Sequence, residues 1–293
     1  VKDTSVKVNY QAIGSGGGIK QLKAKTIDFA ASDEPLRIQE LNKLNTIQFP
    51  MVMSGIVPVI HLHGIHSNQI TLSGDVLADI YLGKITKWND PRIKQLNPQA
   101  QLPPTPIITI HRADGSGTTF NFTYYLSQVS NAWKSKIGFD TVVAWPGRLN
   151  MGGKGNAGVA AQVQNVPNTI GYVEYAYAVE NNMTTVKMIN KANNTVEANL
   201  KSFASAANNA KWSANNGFYQ LLTNQPGKDS WPIVATTFVL IPKANANDPQ
   251  KVAVNKASKK FFSWAFKNGD SMAKELNYIV VPASAQKKIQ ASW

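Results

Sequence analysis

The stretch that decides the fold reads Arg112-Ala113-Asp114-Gly115-Ser116-Gly117-Thr118-Thr119-Phe120. It follows an apolar run at 106–110, typical of a short buried strand, and precedes a segment at 120–126 that can form a helix. Helix N-termini leave N–H groups unpaired and favour negative charge, and arginine adds a planar fork of donors. The turn therefore indicates either a binding site for a tetrahedral oxyanion or an ordinary helix cap beside an unrelated surface arginine.

A second turn of the same kind lies nearer the N-terminus. Residues 6–11, Val-Lys-Val-Asn-Tyr-Gln, alternate like a half-buried strand, and the glycine-rich turn at 13–18 leads into a segment with helical spacing. A further strand-like piece at 26–31 stops at Ser32-Asp33-Glu34-Pro35. The glycines lack the spacing of a dinucleotide fingerprint, and no Gly-Lys-Ser/Thr completes a Walker loop. Two such turns suggest a ligand held between two structural units.

Size and composition describe a folded protein with room for two lobes. The chain has 293 residues, 43% of them hydrophobic and only 16% charged. No apolar run approaches the roughly 18 to 20 residues that a membrane helix needs. No basic-then-apolar leader stands at Val1, so we expect a processed or trimmed chain.

Charge and cysteine content exclude several function classes. Cysteine is absent, which removes disulfides and thiolate catalysis. The net charge is +13, but the lysines are scattered in small groups such as Lys259/Lys260 and form no basic stripe interleaved with aromatics. We therefore expect no nucleic-acid partner. A diffuse positive field would still attract small anions.

Strand-like and helix-like segments alternate along the chain, which predicts an α/β fold. Two apolar runs, 49–53 and 55–60, predict strands whose prolines suggest edges or bends. Asp90-Pro91 marks the start of a helix, because an acidic cap precedes proline in the first turn. A second glycine-rich turn at 152–158 leads into a helix, and 235–241 is the clearest late strand.

Histidines offer the main alternatives to a binding protein. His61, His63 and His66 follow a strand and could bind a transition metal weakly, but no acidic residue stands near them. His111, Asp114 and Ser116 lie too close in sequence to adopt the geometry of a base and a nucleophile. We expect no metal, no cofactor and no catalytic residue.

Taken in order, the motifs resemble those of the phosphate-binding proteins of the bacterial high-affinity phosphate ABC transporter. The resemblance runs from about Val6 to Trp293. It implies two α/β lobes joined by crossing strands, a periplasmic-binding-protein fold of type II, with phosphate in the cleft between the lobes. The stretches that carry it are 8–18, 28–33, 80–85, 112–118 and 170–178.

The resemblance also implies the residues that bind phosphate. Asp33 resembles the carboxylate that accepts a hydrogen bond from the protonated phosphate oxygen; facing fully ionised sulfate, it would meet only repulsion. Asp114 resembles the partner that holds the arginine in place, with Gly14 and Gly16 beside the first lobe's ligand. The implied ligands are Ser15 and Asp33 from the first lobe and Arg112, Ser116, Gly117 and Thr118 from the second.

Further expectations follow from the same resemblance. The first lobe should comprise residues 1–60 with 236–293, and the second 61–235. The protein should be periplasmic and monomeric and should deliver inorganic phosphate to a membrane permease and ATPase complex. The family's N-terminal Gly-rich turn with a Thr-Phe pair does not precede Val1 in this sequence, so we expect weaker phosphate binding than for a chain extended with that turn.

Three alternatives remain open at this point. A receptor for sulfate or molybdate would have the same fold, and Asp33 argues against it. A phosphatase or phosphotransferase would need a nucleophile or metal set that the sequence does not provide. A relative recruited to surface adhesion would not depend on Asp33 at all.

Overall fold

The computed structural model describes residues 6–293, in which strands and helices alternate as the sequence predicts. The helices are α1 (Gly14–Lys23), α2 (Ile38–Lys43), α3 (Gly74–Tyr81), α4 (Pro91–Leu96), α5 (Gly117–Val129), α6 (Asn131–Lys136), α7 (Gly155–Asn165), α8 (Tyr175–Glu180), α9 (Leu200–Ala207), α10 (Pro249–Asn268), α11 (Asp270–Glu275) and α12 (Ala283–Ala291). The strands are β1 (Ala30–Ser32), β2 (Thr46–His61), β3 (Thr71–Leu72), β4 (Ile108–Arg112), β5 (Asn150–Gly153), β6 (Thr169–Glu174), β7 (Thr184–Thr185), β8 (Lys187–Ile189), β9 (Thr195–Val196), β10 (Leu222–Thr223), β11 (Ile233–Pro242) and β12 (Ile279–Val280).

The chain divides into two compact units. The first unit comprises the described residues up to Met53 together with Ala210–Gln220 and Thr236–Trp293, and the second comprises Ser54–Asn209 and Leu221–Ala235. These bounds differ from the lobes expected from the sequence, since 54–60 lie in the second unit and 210–220 in the first. Residues 1–5 of the expected first lobe lie outside the described part of the chain.

Strands and helices from both ends of the chain form the first unit. Strand β1 pairs antiparallel with β11, from Ala30 opposite Leu240 to Ser32 opposite Phe238. Strand β12 pairs antiparallel with the first half of β2. The fully buried ring of Phe49 on β2 has ring neighbours at centroid distances of 5.2 to 6.0 Å. Those neighbours are Phe262, Phe266 and Trp293.

In the second unit, β6 lies between β2 and β4. It pairs antiparallel with the second half of β2 and parallel with β4, while β5 pairs parallel with the other side of β4. Helix α7 packs on β6 at Gly171, where an added Cβ would come within 2.8 Å of the Val163 side chain. Only glycine fits there, because a side chain would push the helix from the sheet. A separate sheet of three strands has the order β3-β8-β9.

One prediction at the N-terminus is wrong. Residues 6–13 form neither strand nor helix, although 6–11 alternate between apolar and polar side chains. Alternation specifies a strand only where one face is buried, and here Val6 and Val8 are only half-buried while Tyr10 is 61% exposed. The two strands predicted on either side of Ser54 are instead one strand, β2, which contains both prolines.

No helix in the range 6–293 is long and apolar enough to cross a membrane.

Candidate functional site

The first turn of α5 has the donors that the sequence predicts for an oxyanion. Ser116 is the N-cap residue, with extended backbone angles, and its Oγ accepts a hydrogen bond from the Thr119 amide at 3.0 Å. The amides of Gly117 and Thr118 come too early in the helix for an intrahelical acceptor. They have no acceptor among residues 6–293. Both residues are buried, so α5 presents two unpaired N–H groups shielded from bulk water.

Arg112, the last residue of β4, forms a two-point ion pair with Asp114. Nε donates to Oδ1 at 2.8 Å, and Nη2 donates to Oδ2 at 2.6 Å. The arginine side chain is 5% exposed and the aspartate side chain 18%. Burial by itself would lower the pKa of the guanidinium, but the hydrogen bonds and charge of Asp114 raise it above its usual value. Arg112 is therefore a permanent cation fixed in orientation.

Asp114 is held from a second side by helix α7. Its Oδ1 accepts a hydrogen bond from the Gly155 amide at 2.9 Å, at the N-terminus of that helix. Burial favours a raised pKa for this carboxyl, but the hydrogen bonds from Arg112 and Gly155 outweigh it and lower the pKa. The carboxylate is thus ionised and rigid at neutral pH.

The packing of α7 on β5 requires glycine at Gly153. A Cβ built there would lie 2.5 Å from backbone atoms of Gly158 and Val159. This close approach fixes the start of α7, and with it the Gly155 amide that orients Asp114.

Two further contacts tie Arg112 to its surroundings. Nη1 donates to Thr118 Oγ1 at 3.3 Å, and the backbone amide donates to the Tyr172 hydroxyl at 3.3 Å. Burial raises the pKa of Tyr172, whose ring stacks on Phe122 at 4.1 Å and whose hydroxyl lies 2.6 Å from Thr119 Oγ1. Because a guanidinium has five N–H groups and three are used, two remain for a ligand.

In the first unit, Ser15 lies in the first turn of α1. The helix begins at Gly14, earlier than the sequence suggested, and Gly14 has a positive φ of 77° that favours glycine. No side chain caps α1. A Cβ on Gly18 would lie 3.3 Å from the Ala31 carbonyl oxygen, so glycine lets the helix approach β1 closely. Gly16 belongs to the same first turn.

Asp33 directly follows β1 and contacts Ser15. Its amide donates to Ser15 Oγ at 3.1 Å, and its Oδ1 accepts a hydrogen bond from Thr237 Oγ1 at 2.6 Å. Ser15 is 7% exposed and Asp33 9%. Since Ser15 Oγ accepts one bond, its own proton remains available for donation. The first unit thus combines a helix N-terminus, a hydroxyl and a buried carboxylate.

The structure also locates the alternative candidates. His61 ends β2, with Nδ1 3.0 Å from the Val163 carbonyl oxygen. His111 stacks on Trp145 at 5.0 Å, and its Nε2 lies 3.1 Å from Asn150 Oδ1. Within residues 6–293 no group of three or more His, Asp or Glu side chains could hold a metal.

Within each unit, the predicted residues lie close together. Arg112, Asp114 and Thr118 are linked by hydrogen bonds next to the N-cap Ser116, and Ser15 is bonded to Asp33. Sequence reasoning missed four residues that support them, three of which are distant in the chain from the residues they contact. Thr237 is 204 residues from Asp33, and no motif marks it. The missed residues are Gly155, Thr119, Tyr172 and Thr237.

Comparisons with known proteins point to one family. A family model described as a PBP superfamily domain matches residues 1–268. The phosphate-binding protein PstS of Xylella fastidiosa strain Temecula1 is 50% identical over 290 residues, covering 99% of this chain and 78% of that protein. PstS of Pasteurella multocida strain Pm70 is 50% identical over 292 residues, covering 100% of this chain and 83% of that protein.

A solved structure supports the fold. The high-affinity periplasmic phosphate-binding protein PfluDING, solved with bound phosphate, superposes with a TM-score of 0.76 at 17% identity, over 96% of this chain and 86% of that one. At this identity the similarity concerns the fold alone. It confirms the periplasmic-binding-protein fold class predicted from the sequence.

Proposed function

The chain belongs to the PstS family of phosphate-binding proteins, within the PBP superfamily, and on that premise we propose that it captures inorganic phosphate for an ABC transporter permease. The bound species is hydrogen phosphate. The protein acts as a binding protein and catalyses no reaction.

The observation that carries this proposal is the N-terminus of α5. Two unpaired amides, the Ser116 hydroxyl and a buried arginine with two remaining N–H groups adjoin one another in the second unit. Such donors suit an oxyanion, and hydrogen bonds to a charged group contribute about 1.5 to 3 kcal/mol each. Several together can offset the cost of removing an anion from water.

We assign phosphate ligands in each unit. In the second unit the guanidinium of Arg112, the Gly117 and Thr118 amides, and the Ser116 and Thr118 hydroxyls donate. In the first unit the Ser15 hydroxyl donates. Asp33 accepts the proton that hydrogen phosphate carries and sulfate lacks, so it favours phosphate over sulfate. The proposed ligands are Ser15, Asp33, Arg112, Ser116, Gly117 and Thr118.

The cellular setting is part of the same proposal. We place the protein in the periplasm, as a monomer made of two lobes, of which the first is discontinuous in sequence. A membrane complex of permease and ATPase receives its phosphate. The names of the relatives and the shared fold support this setting.

Isothermal titration calorimetry with phosphate tests the proposal. We expect one tight site per chain and, in competition, binding of sulfate at least a hundredfold weaker. Arg112→Ala and Ser15→Ala, one variant in each unit, should each weaken that single site. Absence of phosphate binding by the unmodified chain, or a preference for sulfate, would refute the proposal. Unchanged phosphate affinity in Ser15→Ala would show that Ser15 of the first unit is not a ligand.

A further inference from the structure

We infer that Thr237 is a positioning residue that aims the Asp33 carboxylate and thereby sets how well the protein distinguishes phosphate from sulfate. The inference rests on the proposed phosphate site. It concerns a residue that the motifs do not mark and that lies on strand β11, far from Asp33 in sequence.

The hydrogen bond between the two side chains has a defined direction. Thr237 Oγ1 donates to Asp33 Oδ1 at 2.6 Å. The threonine hydroxyl has only one proton, so it is used on Asp33 and is not available to a bound oxyanion. Thr237 therefore acts on a ligand through the carboxylate.

The backbone of Asp33 is fixed without Thr237. The preceding residue, Ser32, pairs with Phe238 in the sheet, and the Asp33 amide donates to Ser15 Oγ at 3.1 Å. These contacts determine where the main chain lies. Neither contact acts on the carboxylate oxygens. The hydrogen bond from Thr237 acts directly on Oδ1 and restrains the rotation of the carboxyl group.

Orientation of the carboxylate decides how much it contributes. An acceptor that meets the phosphate hydroxyl in line gains a strong hydrogen bond, because charge-assisted bonds between oxygens are short and directional. Its repulsion of a fully ionised anion is less sensitive to angle, since it depends mainly on distance. Loss of Thr237 should therefore weaken phosphate binding more than sulfate binding.

The neighbouring residue provides a matched control. Thr236 precedes Thr237 on β11, and because side chains alternate along a strand it points to the opposite face. It is 3% exposed, and its Oγ1 has no hydrogen-bond partner among the described residues. Threonine-to-valine replacement at 236 and at 237 makes the same chemical change on the same strand, but only the Thr237 hydroxyl donates a hydrogen bond to Asp33.

The test is calorimetry with phosphate and sulfate on Thr237→Val, Thr237→Ser and Thr236→Val. For Thr237→Val we expect phosphate affinity to fall about 10- to 100-fold, the loss of one hydrogen bond to a charged group, with a smaller change for sulfate. Thr237→Ser should recover most of the phosphate affinity because it keeps the hydroxyl. Thr236→Val should stay within about twofold of the unmodified chain on both anions. Urea unfolding of each variant shows whether it is folded.

The outcomes separate this inference from the proposed function. If the unmodified chain binds phosphate and folded Thr237→Val has the same affinity and the same phosphate-to-sulfate ratio, Thr237 does not position Asp33. Equal weakening of both anions by Thr237→Val would also overturn the inference, since it indicates a general loss of structure. If the unmodified chain binds no phosphate, the proposed function fails first.

Discussion

The Arg112 guanidinium and the Asp114 carboxylate form two parallel hydrogen bonds, 2.8 and 2.6 Å long, two residues apart in the chain. The Arg112 side chain has almost no contact with solvent. Among the described residues, Asp114 is the one acidic side chain to which it donates hydrogen bonds. We therefore expect the pair to contribute to the stability of the second unit and to the geometry of the proposed ligands.

Asp114→Ala should lower the free energy of unfolding by about 3 kcal/mol, because it leaves a buried charge without its partner. Asp75→Ala is the control: Asp75 also pairs with an arginine, Arg92, but its side chain is 60% exposed. That change should cost at most about 1 kcal/mol. Urea unfolding at neutral pH measures both, and equal costs would mean that the buried pair contributes no more than the exposed one.

The same carboxylate should make stability depend on pH in the acid range. Because the Asp114 pKa is lowered from 3.8 in the folded chain, its contribution is fully present above that value and is lost as pH falls through the folded pKa. Chemical unfolding measured from pH 5 downward should therefore show declining stability. In Asp114→Asn the decline should be shallower, and an identical slope in both proteins would contradict this assignment.

Ser116→Ala should separate capping from ligand binding. Loss of the cap on α5 should cost about 1 kcal/mol, and loss of a donor should also weaken phosphate binding about tenfold. Ser130 caps α6 in the same way, with Oγ accepting from the Trp133 amide at 3.2 Å. Ser130→Ala should have a similar cost in stability and no effect on phosphate affinity. Calorimetry and urea unfolding of the two variants give the comparison.

Arg112→Lys should weaken phosphate binding by about a hundredfold although the charge is kept. A lysine ammonium cannot make the two parallel bonds to Asp114 and also donate to an anion with the same geometry. Arg92→Lys, on the surface of the same unit, is the charge-matched control and should leave affinity within about twofold. Phosphate binding by Arg112→Lys equal to that of the unmodified chain would show that charge alone suffices.

Gly153→Ala should weaken phosphate binding indirectly, by disturbing the packing of α7. The added methyl group has no room, so the start of α7 must shift, and with it the Gly155 amide bound to Asp114. We expect a loss of about 1 to 3 kcal/mol in stability and weaker phosphate binding. In Gly147→Ala the added Cβ comes no closer than 3.6 Å to any residue other than its two chain neighbours, so this change should be tolerated. Unaltered phosphate affinity in Gly153→Ala would show that the position of α7 does not affect the proposed ligands.

Features marked by neighbouring residues in the sequence could be predicted, whereas contacts between distant residues could not. The turn at 112–120 and the cap at Asp90, whose side chain accepts from the Arg92 amide, were predictable because their signals are local. The strand predicted at 6–11 failed, since alternation alone does not supply a sheet edge for pairing. Thr237 could not be found, because its partner Asp33 becomes its neighbour only when β1 and β11 pair.

The first unit is assembled from both ends of the chain, and this has a consequence for folding. Strand β1 at 30–32 pairs with residues 238–240, and Phe49 packs against Trp293. Contacts so distant in sequence require closure of very large loops, which slows folding. The core of this unit can therefore be completed only after residue 293 has been synthesised. All residues of the second unit precede residue 236, so they are synthesised before the C-terminal segment of the first unit.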